Sequence, residues 1–305
     1  MSRFLSIELI RSCIRIATPL WIGALAGIFS ERSGVVNIAL EGMMLAGAFG
    51  GAVVSLCSGQ AWIGVLAAIM TGIACGLFHA VVSLRCRANQ VISGVAINML
   101  MSGLTIFLMQ ILFGNKAQSP TAPRVLEVTI PWFDKIPIIG RIIFEDVSPI
   151  TLIGLLLVVV THIILYYTRW GLRMRAISEN PQAAIAAGVH VHKLQYLGVI
   201  TSGALAGFAG SFLSIGVLDV FTKNMTAGRG FMSLAVMIFG RWKPFGSLAA
   251  SLFFGYAMAL QISLQEWQVP PQFVEMIPYF ATLVVLAFVS GKVRPPAATG
   301  KLIDR

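Results

Sequence analysis

Charge is scarce in this sequence: 11% of its 305 residues are Asp, Glu, Lys or Arg, against roughly a quarter in soluble domains. Hydrophobic residues make up 57%, more apolar surface than one soluble core can hide. A bilayer accepts such surface if every span is helical and satisfies its own backbone hydrogen bonds. The chain therefore reads as an integral membrane protein. Catalytic motifs are missing too. No GxxxxGK[ST] occurs, since Gly291-Lys292 and Gly300-Lys301 lack both the upstream glycines and a following Ser or Thr, so the chain does not hydrolyse nucleotide itself. HExxH, GxSxG and paired intramembrane acids are absent, which leaves no constellation for a membrane enzyme. Cys13, Cys57, Cys75 and Cys86 form no CxxC and read as small buried side chains, with neither disulfide nor metal assigned. His79 and His162 stand alone in apolar runs and read as packed residues, whereas His190 and His192 lie in a polar stretch. Asn224-Met225-Thr226 matches a glycosylation sequon as readily by chance as by design.

The net charge of +10 does not point to nucleic acid. Its basic residues come in short clusters between apolar runs, which membrane topology explains better. Arg3, Arg11 and Arg15 precede an apolar run, and Ala24-Leu25-Ala26 imitates a signal-peptidase site. Cleavage is rejected because the same pentapeptide, GALAG at 23–27, returns at 203–207 in the body of the chain.

Apolar runs of spanning length occur at 14–30, 34–57, 61–84, 91–113, 149–167, 196–217 and 245–264, with a last crossing around 276–289; about 20 residues cover the hydrocarbon core. The apolar piece 230–239 is too short to cross, at about 15 Å, and is expected to be a half-helix. The basic clusters at 85–87, 169–193 and 241–243 and the C-terminal tail with Lys292, Arg294, Lys301 and Arg305 fit one side, the inside, with the N-terminus outside. A broken or re-entrant segment within 34–57 would reverse that parity.

After each GALAG the sequence is again alike, Gly34, Ala39, Phe49, Gly50 and Ser55 matching Gly230, Ala235, Phe245, Gly246 and Ser251 at a constant offset. Two copies entering from opposite sides make an inverted repeat, a common transporter architecture. The expected fold is all-α, with about 8–10 transmembrane helices in two inverted repeats and broken or re-entrant half-helices. It forms one transmembrane domain: a first repeat at about 14–113, an outer loop at 114–148, a linking span at 149–168, a loop at 169–195, a second repeat at 196–290 and a tail at 291–305. Gly23, Gly27, Gly203 and Gly207 are read as helix-packing residues.

Two features carry function. The loop Arg169 to Lys193 holds a short, well-punctuated helix: Asn180 as cap, Pro181 at the first position, Ala183 and Ala184 in its body, and Gly188 for the left-handed residue after it. It is too short to span and long enough to dock on a partner. The other feature is Glu41, because an ionised carboxylate within an apolar helix costs about 2.5–3.5 kcal/mol unless paired or facing water. Two readings stay open. Either it lines the route of a polar solute with Asn37, Gln90 and Asn98, or it pairs with Arg32 or caps the broken second helix.

The stretches SERSGVVNIALEGMMLAGAFGG (30–51), RANQVISGVAIN (87–98), AISENPQAAIAAGVHV (176–191), SGALAGFAGSFLS (202–214) and TAGRGFMSLAVMIFGRWKPFGS (226–247) resemble the permeases of ABC importers in the branched-chain amino acid and simple-sugar group, especially its nucleoside branch. The resemblance implies a bacterial inner-membrane permease that works with a second, related permease, a cytoplasmic ATPase holding ATP and Mg, and an extracytoplasmic solute-binding protein or lipoprotein. The chain itself then binds no cofactor. The resemblance also makes Glu179 to Gly188 the coupling helix and places Asn37, Glu41 and Asn98 in the pathway region. A simple sugar is the alternative solute. An ATP-independent secondary transporter or channel is the alternative class, although Glu41 and scattered histidines form no intramembrane acid and base network.

Overall fold

Helix ends fall where the punctuation of the sequence places them. Pro149, Pro181 and Pro244 open helices at the first position, where a missing N–H costs nothing. The Asn89 side chain caps another by accepting from the N–H groups of Val91 (2.9 Å) and Ile92 (3.2 Å). Gly59 and Gly114 end two more in the left-handed region, at φ +70° and +65°. The computed structural model describes residues 7–114, 117–129, 146–265 and 294–300, with 276, 280 and 283. Helices among them are α1 (Ile7–Arg32), α2 (Leu40–Ser58), α3 (Ala61–Ala80), α4 (Gln90–Phe113), α5 (Pro149–Tyr167), α6 (Arg169–Glu179), α7 (Pro181–Ala186), α8 (Val191–Ser211), α9 (Arg229–Phe239) and α10 (Pro244–Leu264). α3 and α8 each run on into a π-helical turn, Val81–Arg85 and Phe212–Val217.

Seven of the described helices are long and apolar enough to cross a membrane, in keeping with the all-α expectation. The half-helix expected at 230–239 is α9, whose 11 residues reach about 16 Å. A non-helical segment, 218–228, leads into it. Apart from residues 276, 280 and 283, the last expected crossing, at 276–289, lies outside the described residues, as does the tail beyond residue 300.

The basic breaks gather at one end of the bundle. There Arg32, closing α1, reaches Glu179 at the end of α6 (3.9 Å) and the carbonyl of Trp242 between α9 and α10 (3.4 Å). The 294–300 segment joins the same end, Gly300 N–H donating to Gly34 O (3.1 Å) and Ala298 N–H to Ser178 O (2.9 Å). Because α1 is unbroken over 26 residues, Ile7 lies at the opposite end. α2 is equally unbroken from Leu40 to Ser58, so the break within 34–57 is confined to the non-helical residues before Leu40. At that far end Arg11 and Arg15 line a cavity of about 230 Å³ with Glu127 and Asp146 of the long loop.

α1 and α8, the two GALAG helices, form the centre; their apolar windows are each 78% buried, against 22% for α4. They run in opposite directions. Gly198, near the start of α8, lies against Phe29 and Ser33 at the end of α1, while Phe212 and Gly216 share a cavity with Arg11 and Ile14. The residue-by-residue match after GALAG does not survive. Gly34 is a left-handed loop residue at φ +90°, whereas Gly230 sits in the first turn of α9, because the second copy inserts a longer connection and a half-helix.

Glycine sets the closest approaches. A Cβ on Gly203 would fall on the Gly72 carbonyl, and one on Gly207 on the Ala68 carbonyl, so α3 and α8 touch backbone to backbone. Gly47 meets Gly207, and Gly64 meets Gly51, which brings α2 into the same seam. The α1 glycines receive a different partner: Gly23 lies against Ser233 and Gly27 against Met237 of α9.

Candidate functional site

Between α1 and α2 the chain is unwound over residues 33–39, and buried backbone of this kind must find polar partners. It finds them in side chains of α3 and α4, with α8 holding the side chain of Asn37. Gln90 Oε1 accepts the Val36 N–H (2.7 Å), and His79 Nε2 lies 3.1 Å from Val36 O while its Nδ1 meets Ser93 Oγ at 3.0 Å. Asn98 Nδ2 donates to Ile38 O (2.9 Å), and Asn98 Oδ1 accepts the Gly42 N–H (2.7 Å). Asn37 is fully buried, donating to Ser202 Oγ (2.9 Å) and accepting the Ala39 N–H (3.0 Å). His79 is thus the packed residue expected, with hydrogen bonds rather than chemistry to perform.

The four candidate pathway residues therefore divide. Glu41 and Asn98 line an open cavity of about 510 Å³, bounded also by Met99, Ser102, Asn224 and Phe231. Asn37 and Gln90 do not reach it; both are buried and hold the unwound segment. Sequence reading treated Asn224 only as part of a sequon. In the fold its backbone is left-handed, at φ +52°, and its Oδ1 accepts from Ser102 Oγ at 2.8 Å across the cavity wall.

Glu41 neither pairs with Arg32 nor caps its own helix. Its Oε1 accepts the Gly228 N–H at 2.8 Å and its Oε2 the Gly230 N–H at 2.6 Å, so the carboxylate seats the first turn of α9. Charge-assisted bonds to free N–H groups, at the positive end of a helix dipole, stabilise this half-buried carboxylate. The close approach is possible because position 230 is glycine: a Cβ there would strike the Glu41 backbone.

At the basic end the short helix is built as its sequence demands. Asn180 Oδ1 accepts the Ala183 N–H (3.1 Å), Pro181 starts α7, and Gly188 takes φ +76°. Val189 N–H then closes back onto Ala184 O (3.0 Å). Glu179 is not part of α7; it ends α6, a helix missed in the sequence because its many arginines read as a loop. Its signal was there, Gly171, Met174, Ile177 and Ser178 being buried at helical spacing. Ile177, Ala184, Val191 and Leu194 pack into one small cluster that fastens α6, α7 and α8 together. The outer face of α7 stays open, with Ile185 47% exposed.

Similarity to known proteins accords with this arrangement. The family model described as branched-chain amino acid transport system, permease component, matches residues 9–286. The guanosine ABC transporter permease protein NupQ of Bacillus subtilis is 40% identical over 295 residues, covering 93% of this chain and 92% of that one. The nucleoside ABC transporter permease protein NupC of Lactococcus lactis is 34% identical over 296 residues, with the same coverage of 93% and 92%. TsgC13 of Haloferax volcanii, provisionally named a glucose ABC transporter permease, is 33% identical over 304 residues, 92% of this chain and 91% of that one. Bacillus subtilis holds a second relative under the guanosine transporter's name, NupP, 26% identical to this chain over 298 residues, 93% of it and 84% of NupP. With a family model spanning nearly its whole length, and relatives above 30% identity almost end to end, the chain belongs to the branched-chain amino acid transport system permease component family.

Proposed function

We propose that this chain is one permease subunit of an ABC importer in a bacterial inner membrane, and that it passes nucleosides inward by alternating access. The observation that carries this reading is the 40% identity, almost end to end, with a guanosine ABC transporter permease. The cavity is consistent with it. The amide groups at the start of α9 are already taken by the Glu41 carboxylate, which leaves no place there for an anion. The other polar side chains facing it include Asn98, Ser102 and Asn224, neutral groups suited to hydroxyls and base edges. Phosphorylated solutes would meet the carboxylate and be disfavoured.

The basic end of the bundle then faces the cytoplasm, with the N-terminus outside. α7 offers its open face to a partner ATPase, which holds ATP and Mg and performs the hydrolysis. A second, related permease completes the pathway, as two permease proteins of one named guanosine transporter in Bacillus subtilis suggest, and an extracytoplasmic binding protein delivers the solute. A sugar is the second reading, favoured by the 33% identity with TsgC13.

The test is uptake by right-side-out vesicles holding the complete native complex and loaded with ATP, using labelled guanosine, glucose and guanosine monophosphate. ATP-dependent guanosine uptake, with neither of the others accumulating, is the expected result. Uptake of glucose alone would replace the solute, and uptake that follows the proton or sodium gradient after ATP depletion would replace the class.

A further inference from the structure

α9 is held at both ends by residues from far away in the chain. At its start sits Glu41. Beyond its other end the chain turns at Arg241 and Trp242, both left-handed at φ +55° and +53°, a conformation uncommon for side chains of this size and maintained only where surroundings enforce it. The enforcement is visible: Trp242 is 4% exposed, and its indole N–H donates to Glu31 Oε2 at 2.6 Å in a buried site. The next residue along α1, Arg32, reaches the Trp242 carbonyl with one nitrogen (3.4 Å) and Glu179 with another (3.9 Å). Glu179 is joined directly to Asn180, the cap of α7.

We propose that Glu31, Arg32 and Trp242 form the relay by which movement of the α6–α7 pair is passed to the half-helix α9, and through α9 to the cavity wall at Gly228 and Phe231. These are positioning residues: none lines the cavity. The route through α8 reaches α9 less directly, across the glycine seam to α2 and on through Glu41. The relay is the direct hydrogen-bonded and ion-paired connection between the end of α6 and the turn that closes α9. It rests on the reading of α7 as the ATPase-docking helix, and its test separates the two.

The measurement is the number of ATP molecules hydrolysed per solute taken up by the whole reconstituted complex. Trp242→Phe keeps the ring and removes the N–H, so it is expected to raise that ratio about fivefold or more, within the usual range of coupling between sites, while ATPase co-purification stays at the wild-type level. Glu31→Gln retains an acceptor oxygen for the indole and is expected to stay near wild type, whereas Glu31→Ala behaves like Trp242→Phe. If Trp242→Phe does not accumulate in the membrane, Glu31→Ala decides the matter, because it removes the acceptor of the same bond and leaves the tryptophan in place. A wild-type ratio in Trp242→Phe, or in Glu31→Ala where that variant decides, overturns the relay. A wild-type chain that shows no ATP-driven uptake and retains no ATPase overturns the underlying reading instead.

Discussion

Glu41 and Gly230 meet at 2.6 Å, carboxylate oxygen to backbone N–H, across 189 residues of sequence. A side chain in the first turn of α2 thereby fixes where α9 begins. Replacing Glu41 by Gln leaves one acceptor and turns an NH₂ group toward one of the two amide donors. We expect a loss of about 1.5–3 kcal/mol, the worth of a hydrogen bond to a charged group. Thermal denaturation of the purified chain in detergent measures it. Unchanged melting would remove Glu41 from its role as the seat of α9.

Ser102 and Asn224 bridge the cavity wall at 2.8 Å, with both side chains facing solvent-accessible space. Ser102→Ala frees Asn224 while leaving the core untouched, so stability should shift by less than about 0.5 kcal/mol, as for surface changes. Uptake kinetics should respond, with a KM changed several-fold at an unchanged amount of protein in the membrane. An unaltered KM would place the solute's path elsewhere.

The face of α7 separates docking from folding. Ile185→Glu alters an exposed side chain and should leave the chain folded, yet it should abolish co-purification of the ATPase and ATP-driven uptake together. Ala184→Trp, at a site 4% exposed within the small cluster, should instead reduce the amount of folded protein, overpacking costing roughly 1–3 kcal/mol. Gly188→Ala places its methyl group where nothing lies within 4 Å, so its cost comes from the left-handed backbone alone, about 1–2 kcal/mol. ATP-driven uptake that persists in Ile185→Glu would refute α7 as the docking helix.

Two glycines give a paired test of the packing. Gly203→Ala places a methyl group on the Gly72 carbonyl and should cost about 1–3 kcal/mol by overpacking. Gly103→Ala, on α4 with nothing within 4 Å, should be neutral or stabilise by up to about 1 kcal/mol, since alanine favours the helix. Comparison of the two melting temperatures checks the contrast.

Local chemistry was legible in the sequence, and long-range pairing was not. The ends of α7 followed from Asn180, Pro181 and Gly188 because caps act within a few residues. The gathering of 85–87, 169–193 and 241–243 at one end followed from charge and span length. Glu41 announced only that a carboxylate in an apolar run needs a partner; that the partner is the backbone of Gly228 and Gly230 follows from where the chain beyond 218–228 meets α2, which no local pattern encodes. The bond from Trp242 to Glu31 spans 211 residues and has no signal in either neighbourhood. Asn37 and Gln90 were grouped with the pathway because polar residues in apolar runs suggest solute contact, yet an unwound backbone segment asks for the same residue types.

The glycine seam of α2, α3 and α8 has a mechanical consequence. Contacts between side chains can slide, because rotamers exchange one well for another at small cost. A seam in which Gly72 lies on Gly203 and Gly47 on Gly207 has no rotamers to exchange, so displacement along it meets carbonyl oxygens directly. These three helices behave as one keel, and whatever reshapes the molecule during a cycle must bend around it.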